Sequence, residues 1–139
     1  MDGKIAWIVI VAIAAGCQSA AHDPAAPRAR QETYVAKADA DGVQRARVMA
    51  GSYFFQPGHI VVRANMPVEL MASREAGMVP HDLVIEGLDL RQELSTEPAR
   101  IAFTPGRAGK YAIYCSKKPP FGGATHRERG MEAVLEVVP

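Results

Sequence analysis

The chain has few cysteines and few aromatic residues, and it carries no excess of either charge. Its 139 residues include two cysteines and one tryptophan, and the formal net charge is +1. A nucleic-acid-binding surface usually shows clustered basic residues and a basic excess, so this composition argues against a nucleic-acid partner. The sequence also lacks the C-x-x-C, H-E-x-x-H, G-x-S-x-G and P-loop motifs. We therefore expect neither an enzyme nor a small-molecule substrate.

The apolar run near the N-terminus is too short to span a bilayer, which needs about 20 apolar residues. It covers eleven residues, 5–15, and follows a single lysine. This arrangement is typical of the hydrophobic region of a secretory signal, so residues 1–16 are predicted to be a signal peptide. The run leads into Ala14-Ala15-Gly16-Cys17, which resembles the lipobox of bacterial lipoproteins, although Ala14 stands where leucine is usual.

Cys17 is accordingly predicted to be lipidated, which would anchor the exported protein to a membrane on the periplasmic side of the cell envelope. Ordinary cleavage nearby, leaving Cys17 free or paired with Cys115, is the alternative. Residues 17–42 are rich in alanine and proline and have no sustained period, so they are predicted to be a flexible linker. Within this segment, Tyr34 and Val35 could add an edge strand.

Short alternating apolar runs, separated by proline and glycine turns, fill residues 43–139. They predict strands near 44–50, 59–65, 67–73, 81–87, 99–104, 109–115 and 131–138. Seven short strands in about 100 residues favour an all-β domain, a two-sheet Greek-key β-sandwich. Residues 88–97 are expected to hold a helical turn if any segment does.

Three residues able to bind a metal lie in phase with the apolar face of their predicted strands. Because side chains alternate between the two faces of a strand, His81, Cys115 and Met131 all point inward. His126 lies in the polar loop before Met131. A thiolate, two imidazoles and a thioether form the ligand set of a blue-copper site, which holds one copper ion as Cu(I) or Cu(II). Singly, these residues are more often core filler or solvated side chains, but together they predict a copper centre.

The order of these residues resembles the cupredoxins, the plastocyanin-like and azurin-like blue-copper proteins. The matching stretches are residues 79–85, 114–115 and 130–132, and the resemblance spans residues 43–139. It implies His81, Cys115 and His126 as equatorial ligands and Met131 as the weak axial ligand. The loop between Cys115 and His126 departs from the family pattern, because ten residues intervene where plastocyanin-like and azurin-like members have two to four.

Other polar residues near the predicted ligands have different expected roles. Asp82 is predicted to fix the neighbouring loop through hydrogen bonds, since ligating histidines usually have an outer partner. His59 is expected to be exposed rather than ligating. Glu128 and Glu132 are alternative oxygen ligands, although the outward phase of Glu132 argues against that role.

Two functions follow as hypotheses. The first is an extracytoplasmic electron-transfer protein that binds one copper ion and docks with a redox partner protein; the basic residues of loop 116–130 could steer an acidic partner. The alternative is a periplasmic copper-handling protein, meaning a carrier, chaperone or sensor. A metal-free sandwich that binds another protein stays open if copper does not bind.

Overall fold

The computed structural model describes residues 32–139, so the predicted signal peptide (residues 1–16) and Cys17 lie outside the described residues. Regular secondary structure in this range is entirely β. The ten strands are β1 (Thr33–Val35), β2 (Gln44–Gly51), β3 (Phe54–Gln56), β4 (His59–Arg63), β5 (Val68–Arg74), β6 (His81–Ile85), β7 (Leu90–Leu94), β8 (Ala99–Phe103), β9 (Gly109–Tyr114) and β10 (Glu132–Val138). Residues 32–139 contain no helix long and apolar enough to cross a membrane.

The strands form two sheets that enclose one apolar core. The six-stranded sheet has the order β1-β4-β10-β9-β6-β7, and the four-stranded sheet has the order β3-β2-β5-β8. Both sheets contribute fully buried side chains to the core, among them Val48, Leu70, Ile60, Leu83, Ile113 and Leu135. The predicted all-β, two-sheet sandwich is therefore confirmed, with ten strands instead of about seven.

The added strands are β1, β3 and β7. Residues 88–97, expected to hold a helical turn, contain β7 instead, and β7 pairs antiparallel with β6 from His81↔Leu94 to Ile85↔Leu90. Its sequence favours a helix locally, but this edge pairing satisfies backbone groups of β6 that would otherwise be buried without partners. β1 pairs parallel with β4, so an edge strand is present at Tyr34 and Val35, inside the segment predicted as linker.

Strand direction brings three distant parts of the chain to one end of the six-stranded sheet. β9 runs antiparallel to both β6 and β10, and Tyr114 at its end pairs with Glu132 at the start of β10 and with Val84 of β6. The residues that follow β9 therefore run alongside the first half of β6. Cys115 follows β9, His81 begins β6, and Met131 immediately precedes β10. All three side chains are buried, with exposed fractions of 5% for His81 and 0% for Cys115 and Met131, which confirms their predicted inward phase.

Candidate metal centre

The side chains of His81, Cys115 and His126 meet in the interior at this end of the sandwich. One ligand atom from each residue lies within 4.8 Å of the other two. Cys115 Sγ is 3.4 Å from His126 Nδ1 and 3.9 Å from His81 Nδ1, and the two imidazole centroids are 5.1 Å apart. The structure therefore brings together one sulfur and two nitrogens that can bind a single metal ion.

Met131 joins this cluster through its backbone. The Cys115 amide donates to the Met131 carbonyl (3.3 Å), and the Met131 amide donates to the His126 carbonyl (3.0 Å). Its side chain is buried in the same apolar core as Cys115. This position agrees with the axial-ligand hypothesis, and coordination by the Met131 thioether stays a prediction.

The Cys115 thiol is free and buried, and its protonation depends on that burial. Loss of solvent raises the pKa of Cys115 above its ordinary value of 9.0, although the backbone amides of Asp82 and Lys117 oppose the shift. The Asp82 amide lies 3.5 Å from Sγ and donates to it. Cys115 is thus a neutral thiol in the metal-free protein at neutral pH, and a metal that binds it must displace a proton.

Both imidazoles are neutral at the same pH. Burial lowers the pKa of His81 below 6.5, and nearby His126 and Arg74 lower it further. Burial also lowers the pKa of His126, with an added contribution from Arg129. A neutral ring keeps one nitrogen lone pair free, so the two histidines can bind a metal without losing a proton.

Asp82 fixes the chain just after the cysteine. Extending the β6–β9 register by two residues places Asp82 opposite Ser116. The Asp82 carboxylate accepts bonds from the Ser116 amide (2.7 Å) and hydroxyl (2.6 Å), and it pairs with Arg91 at 2.8 Å. Burial raises the pKa of Asp82, but these hydrogen bonds and the charge of Arg91 outweigh it, so the pKa is lowered and the buried carboxylate is ionised.

His126 is positioned by a single helical turn that the sequence analysis did not identify. The sequence Thr125-x-x-Glu128 is a capping box. The Thr125 amide and hydroxyl donate to the Glu128 carboxylate at 2.6 and 2.9 Å, and the Glu128 amide donates to the Thr125 hydroxyl at 3.1 Å. Gly130 ends the turn with φ +89°, a conformation that favours glycine. The long loop therefore returns to the site through a recognisable local motif.

The two carboxylates considered as oxygen ligands are engaged elsewhere. Glu128 serves the capping box, and the Arg127 guanidinium donates to Glu132 at 2.5 Å. His59 is half-buried and also away from the ligand cluster. Its ring nitrogens contact Thr33 Oγ1 at 3.2 Å and Glu136 Oε2 at 2.8 Å. Among residues 32–139 the only cluster of potential metal ligands is the one containing Cys115.

Tyr53, at the β2–β3 turn, contacts the site and gives no signal in the sequence. Its ring lies edge-on to the His126 imidazole, with centroids 5.3 Å apart and an interplanar angle of 87°. The Arg129 guanidinium donates to its hydroxyl at 2.9 Å. Tyr53 has a φ of 62°, which is rare for an aromatic residue. The turn and the loop thus meet over one face of His126.

An apolar surface surrounds the point where His126 approaches solvent. Met78 is fully exposed, and Val79 is half exposed. Met78, Val79 and Tyr53 line an open hollow that His126 also borders. The imidazole of His126 therefore lies between the interior cluster and the protein surface.

The sequence matches none of the protein-family models and none of the curated proteins with which it was compared. Several solved structures share its fold. The metal-binding domain of the Cu(I)-exporting P-type ATPase CopA of Streptococcus pneumoniae aligns with a TM-score of 0.61 and 20% identity, over 78% of this chain and 98% of that one. A copper-binding protein in its apo form aligns with a TM-score of 0.60 and 19% identity, over 78% and 99%.

Auracyanin from Roseiflexus castenholzii aligns with a TM-score of 0.57 and 16% identity, over 68% of this chain and 97% of that one. These similarities establish the fold. The described domain has the cupredoxin fold, as the sequence predicted, and a His-Cys-His cluster lies within it.

Proposed function

We propose that this protein binds one copper ion through His81, Cys115, His126 and Met131 and acts as an electron carrier outside the cytoplasm. The observation that carries the proposal is the convergence of a thiol and two neutral imidazoles within 4.8 Å of one another in the interior. A Cys/His₂ set with a weak methionine is the donor combination of blue-copper sites, so the residues present fit copper. Bound copper would supply one-electron chemistry between Cu(I) and Cu(II).

The surrounding chain supports an electron-transfer role because it holds the donors in place before any metal binds. Asp82 and Met131 fix Cys115 from two sides, and Tyr53 and the capping box fix His126. Preformed ligands reduce the rearrangement that accompanies a change of oxidation state. Burial keeps water away from the donors, while His126 reaches towards the apolar surface where a partner could dock.

Copper handling is the second candidate, and Met78 favours it. This methionine is fully exposed and borders the same hollow as His126. A thioether is a soft ligand that suits Cu(I), so Met78 could take part in receiving or releasing the ion at the surface. The similarity to the metal-binding domain of a Cu(I)-exporting ATPase, solved with Cu(I), is compatible with this alternative.

We also propose that the mature protein is exported, carries lipid on Cys17 and meets a redox partner protein at the membrane surface. The apolar run at 5–15 and the Ala14-Ala15-Gly16-Cys17 sequence support this location. Cys17→Ser is expected to block maturation or to shift the protein from the membrane fraction to the soluble fraction. Unchanged membrane association would contradict the lipid anchor while leaving the copper proposal intact.

The copper proposal is tested by loading the reduced, metal-free protein with Cu(II) and recording visible and electron paramagnetic resonance spectra. A thiolate bound to Cu(II) is expected to give an intense visible charge-transfer band. Cys115→Ser should abolish the band, because a hydroxyl lacks the covalency of a thiolate. A colourless wild-type protein whose thiol was confirmed reduced would contradict the blue-copper assignment.

Electron transfer and copper handling are separated by challenging the Cu(I) form with a strong chelator. An electron carrier should keep its copper and exchange electrons rapidly with a small redox mediator. A copper-handling protein should release the ion within minutes, and Met78→Leu should slow that release. Retention of copper by both wild type and Met78→Leu would exclude the second candidate.

A further inference from the structure

A row of alternating charges runs from the interior beside Cys115 to the surface of edge strand β7. Asp82 pairs with Arg91 at 2.8 Å, and Arg91 lies 4.0 Å from Glu93. Glu93 in turn pairs with Lys117 at 2.7 Å. Asp82 and Glu93 face each other in the β6–β7 register, and Arg91, which contacts both, offsets the repulsion between the two carboxylates.

The row differs sharply in burial from one end to the other. The Asp82 side chain is 0% exposed, whereas that of Arg91 is 58% exposed. A buried carboxylate interacts strongly with charge nearby, while an exposed guanidinium is screened by water and salt. The inner end of the row is therefore negative, and the positive charge that compensates it lies at the surface.

The residues of this row also contact the chain between Cys115 and His126. Asp82 binds the backbone and side chain of Ser116, the residue after Cys115. Arg91 also donates to the Ser116 hydroxyl at 2.9 Å. The Lys117 carbonyl accepts the amide of His126 at 2.8 Å. A change in the charge of the row therefore acts on Ser116, which adjoins Cys115, and on Lys117, which hydrogen-bonds His126.

We propose that the Asp82–Arg91 pair sets the preference of this site between a monovalent and a divalent ion, with Arg91 as its adjustable outer member. The inference rests on the proposed copper site. Asp82 favours the more highly charged ion, and Arg91 offsets part of that preference. Arg91 touches no ligand and acts through Asp82 and Ser116, so it is a positioning residue.

The sign of each substitution follows from the charges. Asp82→Asn keeps an oxygen that can accept the Ser116 amide but removes the negative charge, so the reduced, monovalent state should gain. Arg91→Gln removes the compensating cation, so the oxidised, divalent state should gain. The buried charge should shift the ratio of Cu(I) to Cu(II) affinity by about tenfold, or about 59 mV for a one-electron couple. The exposed charge should shift the ratio by only about threefold, in the opposite direction.

The first experiment measures the reduction potential of the copper-loaded protein at fixed pH and ionic strength. Arg100→Gln is the matched control, because Arg100 also pairs with a carboxylate (Glu69) and is 60% exposed, but on the other sheet. Asp82→Asn should raise the potential, Arg91→Gln should lower it, and Arg100→Gln should leave it unchanged. The double variant Asp82→Asn/Arg91→Gln should lie between the two single variants. If the pair has only a structural role, the reduction potential should shift in the same direction in Asp82→Asn and in Arg91→Gln.

A second measurement uses ions that undergo no redox change under the assay conditions. Dissociation constants for Ag(I) and Co(II) are compared in the same five proteins, and the Ser116 amide proton is followed by NMR in the metal-free state. The Ag(I)-to-Co(II) affinity ratio should rise in Asp82→Asn and fall in Arg91→Gln. If wild type binds both ions but the ratio in Arg91→Gln equals that in Arg100→Gln, this inference is wrong and the copper site stands. If wild type binds neither ion, the proposed function fails and takes the inference with it.

Discussion

The two halves of the candidate metal centre are built in different ways. His81 and Cys115 lie at the ends of paired strands, β6 and β9, so backbone pairing fixes where their side chains begin. His126 lies in a turn within a loop, and local backbone and side-chain contacts hold it. Strand register fixes the positions of His81 and Cys115. The position of His126 is fixed instead by three contacts: the Thr125–Glu128 capping box, the Lys117 carbonyl and the Tyr53 ring.

The contacts around His126 explain why the long loop can still contribute a ligand to a well-defined site. Each loop contact is individually weak, with a helix cap contributing about 1 kcal/mol. Several of them acting on one short turn can still define the position of an imidazole. A strand end is harder to move, because shifting it breaks the register of the whole sheet. We therefore expect substitutions near His126 to loosen the site gradually, and substitutions near Cys115 to disrupt it as a unit.

The largest expected effects come from removing one histidine from each half. His81→Ala and His126→Ala should each weaken copper binding by at least about 100-fold, because both remove an equatorial ligand. Hydrogen exchange in the metal-free proteins should tell the halves apart. His126→Ala should accelerate exchange of amides in loop 116–130, whereas His81→Ala should leave the amides of β6 and β9 protected. Equal loop protection in the two variants would show that the position of the loop does not depend on the His126 side chain.

The effect of pH on metal binding should be the next largest. Because the pKa of Cys115 is raised and those of both histidines are lowered, one thiol proton must leave on binding between pH 6.5 and 9. Affinity should therefore rise about tenfold per pH unit in this range. A Cys115→Ser protein, which has no thiol proton to lose, is the control and should show a much flatter profile. A wild-type profile as flat as the control would show that the thiolate does not bind the metal.

The stability of the metal-free protein should also depend on pH, but in the mildly acidic range below pH 6.5. Both site histidines have a folded pKa below their ordinary value of 6.5, so the unfolded chain binds more protons under mildly acidic conditions. The stabilisation is complete above pH 6.5 and is lost as pH falls through the folded pKa values. Urea unfolding midpoints measured from pH 7.5 to 5 should fall. The His81→Gln/His126→Gln double variant should show a smaller fall, and an equal fall would place the proton uptake elsewhere.

The difference between the two halves also explains what could be predicted from sequence. Period-2 alternation identifies the inward phase of His81, Cys115 and Met131, because a strand offers only two faces. The all-β class and seven of the strands follow from the same pattern. The expected helical turn at 88–97 is wrong. Leu90–Leu94 has helix-forming residues, but its pairing with β6 makes it a strand. Position along a loop has no such period, so the contacts of His126 depend on partners far away in sequence.

The contact of Tyr53 with His126 could not be predicted from the sequence, whereas the turn that begins at Thr125 could. Tyr53 lies 73 residues before His126, and nothing in a Ser-Tyr-Phe turn indicates which ring it will meet. The spacing of Thr125 and Glu128, by contrast, is a recognised helix-start pattern and predicts a turn around His126. Asp82 was predicted as an outer hydrogen-bond partner, but its pairing with Arg91 depends on β7 and could not be anticipated without that strand.

The capping box gives a moderate prediction that applies to the loop half alone. Thr125→Ala removes the hydroxyl that bonds both the Glu128 carboxylate and the Glu128 amide. We expect a loss of about 1 kcal/mol in the free energy of unfolding and a fall of a few-fold in copper affinity. Thr96→Ala, at an exposed threonine in another loop, is the matched control and should change neither quantity. Identical behaviour of the two variants would mean that the cap does not position His126.

The smallest expected effect is at Tyr53, where backbone strain and contact with His126 oppose each other. A non-glycine residue with φ near 62° is disfavoured by about 1 kcal/mol, so Tyr53→Gly removes a cost at the β2–β3 turn. The same change removes the edge-on ring contact and the hydroxyl that Arg129 binds. The free energy of unfolding should therefore change by less than about 1 kcal/mol, while copper affinity falls a few-fold.

Two further variants separate the contributions at Tyr53. Tyr53→Phe keeps the ring against His126 and loses only the bond from Arg129, so its copper affinity should stay close to that of wild type. Asp89→Gly relieves a similar backbone conformation, φ 54°, in the turn between β6 and β7, and should raise stability without altering copper binding. If Tyr53→Gly behaves like Asp89→Gly in both measurements, the ring contact does not hold His126. The loop half would then depend on the capping box and the Lys117 carbonyl alone.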